Sequence, residues 1–286
     1  MTESLLPANI PNKIARRWSI SSAFFLADTP SSIIHRVTLA DGSSAILKSL
    51  KPRGLGELPG MAFLEWRKGH GAVRMLKQEE TVCLLEDAGT VILRTHRLHH
   101  GEMEANRIIV DLLKTLHSPG KTPPRELTSL ERHFQSLLSR TKPEKDERLR
   151  EPLAFSADIA RQLLANQQNI KPLHGDLHHD NIVSGGARGW LAIDPQGLLG
   201  DPAYDVANVF GNPLNALPDI IDPQRIETLC DIFADALNCS KEKILRYAIA
   251  HAGLSICWSL EDGGVLEQSE NARERLAFLT VARSLL

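Results

Sequence analysis

Leu173 to Gly197 reads LHGDLHHDNIVSGGARGWLAIDPQG, and the rest of the chain can be worked outward from it. The stretch carries a ladder of polar groups: His174, Asp176, Asn181 and Asp194. IVSG precedes and WLAID follows a glycine-rich turn, the pattern of a loop running into a β-hairpin. Folding that hairpin back on itself returns Asp194 to the neighbourhood of Asn181. One carboxamide and one carboxylate could then share a cation with hard oxygen ligands. Such a set suits Mg²⁺, which keeps several waters and draws its remaining ligands from phosphates. Asp176, one loop turn away, is left free to accept a proton. His174, His178, His179 and Asp180 are a weaker alternative as a transition-metal cluster, because no cysteine lies near in sequence to complete a shell.

The string H-x-D-x-x-x-x-N followed by D-x-x-G pairs a catalytic loop with a metal loop, as in the protein-kinase-like phosphotransferases. HGDLHHDN followed by AIDPQGLLGDPAYDVAN resembles the aminoglycoside phosphotransferase family, and within it the streptomycin and hydroxyurea kinase group. The resemblance can be followed from about Ser19 onward. It implies an α+β, bilobal protein-kinase-like fold, with a small N-lobe of antiparallel sheet plus one helix and a larger, mostly helical C-lobe. It also implies ATP and Mg²⁺, with Asn181 and Asp194 holding the metal and Asp176 taking the proton of an acceptor hydroxyl. Asp205, in the same string, would brace the catalytic loop from below. Position 175 is glycine, where regulated protein kinases carry arginine, so activity without phosphorylation of an activation loop is expected.

Upstream, ISSAFFLA, SIIHRVTLA and SAILKSL are strand-like, the last two joined by an Asp41-Gly42 turn. Alternation puts Lys48 on the face of Ile46 and Leu50, either toward an apolar interior or along an exposed sheet face, and a buried ammonium there needs an acid. Glu65, the only acid in the short helical segment MAFLEWRKGH, is the expected partner, with Met61 and Leu64 on its side of the helix. The two look like the strand lysine and helix glutamate that hold nucleotide phosphates in kinases. The connection Ala27 to Ser32 holds no glycine, a departure from kinases in general; small polar residues stand there, and Ser31 and Ser32 are candidate phosphate contacts. Strands around Ala72 to Leu76 and Thr81 to Leu85 would complete a sheet of about five. CLLEDAG then leads out of it, and by resemblance Glu86 and Ala88 offer backbone groups to adenine. The lobe boundary is placed close to Gly89, dividing residues 1–89 from 90–286.

Helices are expected at Asn106 to Leu116, Leu127 to Leu138, Phe155 to Gln167, from Asp201-Pro202 onward, Pro223 to Leu237, Lys241 to Ser259 and about Glu267 to Leu285. GKTPP reads as a loop and TKPEKDERLREP as a solvated charged connection. Glu261 and Asp262, in the turn SLEDGG, are candidate contacts to a cationic substrate.

The 286 residues suffice for two packed lobes. An apolar fraction of 42% and a net charge of −2 give no argument for nucleic acid or membrane as partner. No signal-like or membrane-spanning run is visible, and the four cysteines form no CxxC pair, so a cytoplasmic protein without disulfides is expected. The expected activity is transfer of the ATP γ-phosphate to a hydroxyl of a small molecule. A streptomycin-like aminoglycoside is first in line as acceptor, then another hydroxylated amine or sugar. A nucleotide-binding pseudoenzyme is the competing class, disfavoured because Lys48, Glu65, Asp176, Asn181 and Asp194 all keep competent side chains.

Overall fold

A computed structural model describes residues 10–118, 120, 122–139 and 146–286. Helix α1 (Asn12–Arg17) leads into strands β1 (Ile20–Asp28), β2 (Ser32–Leu39) and β3 (Ser44–Leu50). A 3-10 turn at Pro52–Glu57 feeds α2 (Leu58–Arg67), and β4 (Met75–Glu79) and β5 (Val82–Glu86) follow. The five strands make one antiparallel sheet in the order β1-β2-β3-β5-β4. Strand alternation divides its two faces. Ala45 and Leu47 of β3 join Ile14, Trp18, Val37 and Leu84 in a core under α1, whereas Ile46 and Leu50 pack on the core that continues through α2 into the helical lobe. Lys48 therefore points toward the second lobe, as its strand position requires.

That lobe begins with α3 (Leu93–His100) and α4 (Glu102–Leu116). A short strand β6 (Thr128–Ser129) precedes α5 (Leu130–His133), α6 (Gln135–Leu138) and α7 (Glu147–Ala165). Strands β7 (Lys171–Leu173), β8 (Ile182–Ser184), β9 (Trp190–Ala192) and β10 (Leu198–Gly200) carry the site. A 3-10 segment at Pro202–Val209 and helices α8 (Leu217–Ile220), α9 (Pro223–Leu237), α10 (Lys241–Ser259) and α11 (Glu270–Ser284) finish the chain. Helix α10 is buried nearly all round, with α7, α9 and α11 packed against it. No helix among the described residues is long and apolar enough to cross a membrane.

Three expectations change. The charged stretch is not merely a connection: residues 140–145 lie outside the described residues, but Asp146 caps α7 by accepting from the Arg148 N–H at 3.0 Å. The helix then starts at Glu147 rather than Phe155, because Leu149 and Leu153 turn inward and are buried, with Pro152 tolerated inside it. The helix expected over Leu127 to Leu138 breaks at Phe134 into α5 and α6. The Asp201-Pro202 helix is a 3-10 run, begun by the Asp201 carboxylate accepting from Ala203 N–H at 3.1 Å. The loop GKTPP is described only in part, since its residue 121 lies outside the described set.

Candidate active site

The hairpin forms as the spacing requires. Ile182 pairs with Ala192 and Ser184 with Trp190, and Ile193 N–H donates to Asn181 O at 2.9 Å. Asn181 and Asp194 thus leave the same end of one two-stranded ribbon. The Asp194 backbone is left-handed, with φ +57. The following loop lies directly against the start of α2. A Cβ on Gly60 would sit 1.8 Å from Pro195 O, and one on Gly197 would sit 2.1 Å from Pro59 O. Only glycine allows that approach, and it draws the α2 entry, the Lys48 strand and Asp194 together.

The loop from His174 to Asn181 is held from beneath by Asp205. Its buried carboxylate accepts from Gly175 N–H at 2.6 Å, His174 N–H at 3.2 Å and His117 Nε2 at 2.7 Å. His174 is fully buried and donates through Nε2 to Ile193 O at 2.9 Å, while its Nδ1 accepts from Asp176 N–H at 3.2 Å. Those partners fit one neutral tautomer, and burial keeps the ring's pKa below its ordinary value. Gly175 has φ +82, and a Cβ there would meet Leu198 Cδ1 at 2.6 Å, so this loop has a local steric need for glycine at that position.

Asp176 is gripped on both oxygens. Asn181 Nδ2 donates to Oδ2 at 3.0 Å and to the Asp176 carbonyl at 2.9 Å; Asn208 Nδ2 donates to Oδ1 at 2.7 Å. Burial pushes this carboxyl up, but the His178, His174 and His251 imidazoles around it outweigh burial and hold it at about 2. The two amide donors favour the same ionised form. With its nitrogen committed to Asp176, Asn181 has no hydrogen-bond partner on Oδ1 among the described residues, and its backbone leaves the same end of the hairpin as that of Asp194.

Lys48 is 8% exposed and bonds Asp194 and Glu57, the latter at 2.5 Å. Burial alone would lower its pKa; the carboxylates of Asp194 and Glu57 raise it above the ordinary lysine value. Glu65 is not the partner. It is exposed, on an outer groove of about 580 Å³ with Leu58, Pro59, Trp66 and Lys68. The helix begins at Leu58, so Glu57 continues the inward row of Met61 and Leu64, while Glu65 falls one residue further round, toward solvent. The residue signal existed, since LGELPG reads as a helix entry with proline near its first turn.

The remaining candidates are distributed around this centre. The Ser31 and Ser32 hydroxyls each lie 3.2 Å from Thr29 Oγ1, closing a tight turn on themselves, with Lys51 Nζ donating to Thr29 O at 2.6 Å. The Glu86 side chain accepts from Arg74 N–H at 2.9 Å and pairs with Arg188 in the hairpin turn. Among the described residues no backbone hydrogen bond engages Ala88. Glu261 accepts from Ser136 Oγ at 2.8 Å; the side chain of Asp262 lies outside the described residues. Among the described residues no group of three or more His, Cys, Asp or Glu side chains gathers as a metal site, and Asp180 pairs instead with Arg94.

An aromatic wall near Asp176 carried no local sequence signal. Tyr204 Oη lies 2.6 Å from His133 Nε2 and 2.8 Å from His251 Nδ1, and Trp258 stands edge-on to both imidazoles. Burial lowers His133 to about 4 and His251 to about 3, so both rings are neutral near pH 7. These residues come from α5, the 3-10 segment and α10, elements that meet only in the folded chain.

A family model described as aminoglycoside/hydroxyurea antibiotic resistance kinase matches residues 17–263. The chain is 37% identical over 251 residues to a streptomycin 3''-kinase of Klebsiella pneumoniae, covering 86% of this chain and 91% of the relative. It is 26% identical over 272 residues to a streptomycin 6-kinase of Streptomyces griseus, covering 90% and 85%. Among solved structures, a thermostable mutant of aminoglycoside phosphotransferase APH(4)-Ia, in ternary complex with ADP and hygromycin B, superposes with TM-score 0.65 at 14% identity, covering 95% of this chain and 97% of that one.

Proposed function

We propose assignments for the site and its acceptor on the premise that this chain belongs to the aminoglycoside/hydroxyurea antibiotic resistance kinase family and is an ATP-dependent small-molecule phosphotransferase. Asp176 accepts the proton of the acceptor hydroxyl and aims its oxygen at the γ-phosphate. Lys48, steadied by Glu57, meets the nucleotide phosphates. Asn181 Oδ1 and the Asp194 carboxylate hold Mg²⁺, whose charge would neutralise the phosphate oxygens. The donor set fits: one neutral and one anionic oxygen at the end of one hairpin, the Asn181 nitrogen being turned away to Asp176. Glu86 and Ala88 offer backbone groups at the lobe junction to the adenine edge, and the turn holding Ser31 and Ser32 lies over the phosphates through its backbone, its hydroxyls being engaged with Thr29.

One observation carries this reading: the doubly held, ionised Asp176 carboxylate shares Asn181 with the proposed metal position. Phosphoryl transfer asks little covalent chemistry of a protein, so a fixed base, a fixed lysine and a metal clamp are sufficient machinery. The proposed acceptor is a streptomycin-like aminoglycoside, supported by the two streptomycin kinases above. Trp258 and His133, backed by the buried Tyr204 and His251, would pack its sugar faces, and Glu261, near α6, offers negative charge to a cation. Purified protein with ATP and Mg²⁺, assayed for ADP release against streptomycin, hygromycin B, choline and simple sugars, tests it. Streptomycin should release ADP well above the water background. Release with choline or a sugar alone would move the acceptor to another hydroxylated metabolite.

A further inference from the structure

The carboxamide of Asn208 could offer either oxygen or nitrogen to Asp176, and the groups behind it make the choice. Its Oδ1 accepts from Arg275 Nη2 at 3.1 Å and from Asn212 Nδ2 at 2.9 Å. Asn212 Nδ2 also donates to the Asn208 carbonyl at 2.7 Å. With two donors on its oxygen, Asn208 can turn only its NH₂ to Asp176, where it lies 2.7 Å from Oδ1.

Arg275 is an expensive way to do this. It projects from α11, is 3% exposed, and among the described residues has no carboxylate within ion-pair distance. It bonds the Gly211 carbonyl through Nη1, and its Nε has no hydrogen-bond partner among the described residues. A buried guanidinium left partly unsatisfied works against stability, so packing gives no reason for it. Among the described residues its one hydrogen bond to a side chain leads to the residue that touches Asp176. Gly211 matches it: a Cβ there would sit 1.3 Å from Nη1, so the chain leaves room for the guanidinium.

We propose that Arg275, acting through Asn208, is a positioning residue for phosphoryl transfer: it fixes the amide orientation that holds the Asp176 carboxylate toward the acceptor hydroxyl. This rests on Asp176 serving as the base. The NH₂ holds one oxygen of Asp176 while Asn181 holds the other, so the carboxylate plane is set before the acceptor arrives. Without Arg275, Asn212 alone holds the Asn208 oxygen, so the orientation that puts the NH₂ on Asp176 is held less firmly.

A double-mutant cycle read as the single-turnover transfer rate, with MgATP affinity measured by calorimetry, tests the proposal. Asn208→Ala should slow transfer by ~10²-fold, the scale of a small misplacement at a reacting centre, with MgATP affinity within about twofold of wild type. Arg275→Met should slow it by about tenfold, and the double variant should be no slower than Asn208→Ala, because the two act in series. Arg275→Lys, which can still donate to Asn208 Oδ1, should recover part of the rate. If Arg275→Met does not fold, Arg275→Ala, which likewise lacks a donor, replaces it in the cycle. Losses that multiply in the double variant, rates that stay at wild type, or a fall in MgATP affinity that matches the fall in rate would each overturn the proposal. Asp176→Asn separates the two layers. If it transfers at the wild-type rate, the base assignment itself fails; if it is slow while Asn208→Ala and Arg275→Met are fast, only the positioning role fails.

Discussion

Asp176 and Asp194 belong to the same loop pair, yet the molecule holds them in opposite ways. Asp176 has each oxygen bonded to a neutral amide, from Asn181 and Asn208, and its backbone is tied to His174. Asp194 stands half exposed on a left-handed backbone, with the Lys48 ammonium as its partner. Amides orient a carboxylate without cancelling its charge, an arrangement that suits the proton acceptor proposed for Asp176. A cation partner does cancel charge, and a metal ion or a phosphate can displace either half of that pair. The first arrangement suits a base that must not move. The second suits a group that exchanges partners when nucleotide enters.

Breaking the first arrangement should have the largest effect. Asp176→Ala is expected to slow transfer by ~10²–10⁴-fold, the range for a lost general base, with MgATP affinity by calorimetry nearly unchanged. Breaking the second should hit nucleotide and rate together. Lys48→Met should cost ~10²-fold in kcat/KM for ATP, as for loss of one charge-stabilising group, with Glu57→Gln weaker in the same direction. Steady-state kinetics over a range of ATP concentrations would check both.

The support beneath Asp176 can be tested without chemistry. Asp205→Asn replaces one acceptor oxygen among three donors by a further donor, and should lower stability by ~1.5–3 kcal/mol in urea unfolding. A smaller effect belongs to the histidine wall. His251 is buried with its pKa pulled from 6.5 to about 3, so in the folded state it is neutral where the unfolded chain is protonated. Its contribution is fully present above pH 6.5 and is lost as pH falls toward 3, at about 1.4 kcal/mol per pH unit. Urea unfolding of His251→Phe between pH 4 and 6 should show an acid slope shallower by about that amount. The smallest effect expected is none: Glu65→Gln, on the outer face of α2, should leave kcat and the KM for ATP at wild type, and a loss equal to that of Glu57→Gln would reverse the assignment of the lysine's partner.

The legible and the illegible parts of the site divide along a physical line. Asp176, Asn181 and Asp194 were readable because a loop and a two-stranded hairpin fix their relation within one stretch of chain. Lys48 was readable because strand alternation is local. The sequence points to the wrong acid because the helix begins at Leu58 rather than at Met61, which puts Glu57 at its entry on the row of Met61 and Leu64, and that boundary is set by the 3-10 turn and by the contact of Gly60 with the loop at Pro195. The α7 start was misread for a similar reason. Charged residues dominate Asp146 to Glu151, and the buried Leu149 becomes decisive only once a core exists to receive it.

By itself the sequence determined the two-lobed kinase-like architecture and where Asp176, Asn181, Asp194 and Lys48 stand in it, since each is written as a short-range spacing of chemically distinct residues. The tertiary structure alone decided which acid meets Lys48, that His133, Tyr204, His251 and Trp258 form one wall, and that Arg275 reaches Asn208 across 67 positions of chain. Those pairs depend on how helices pack, and helix packing is fixed by the sum of many apolar contacts, which no short stretch of sequence contains.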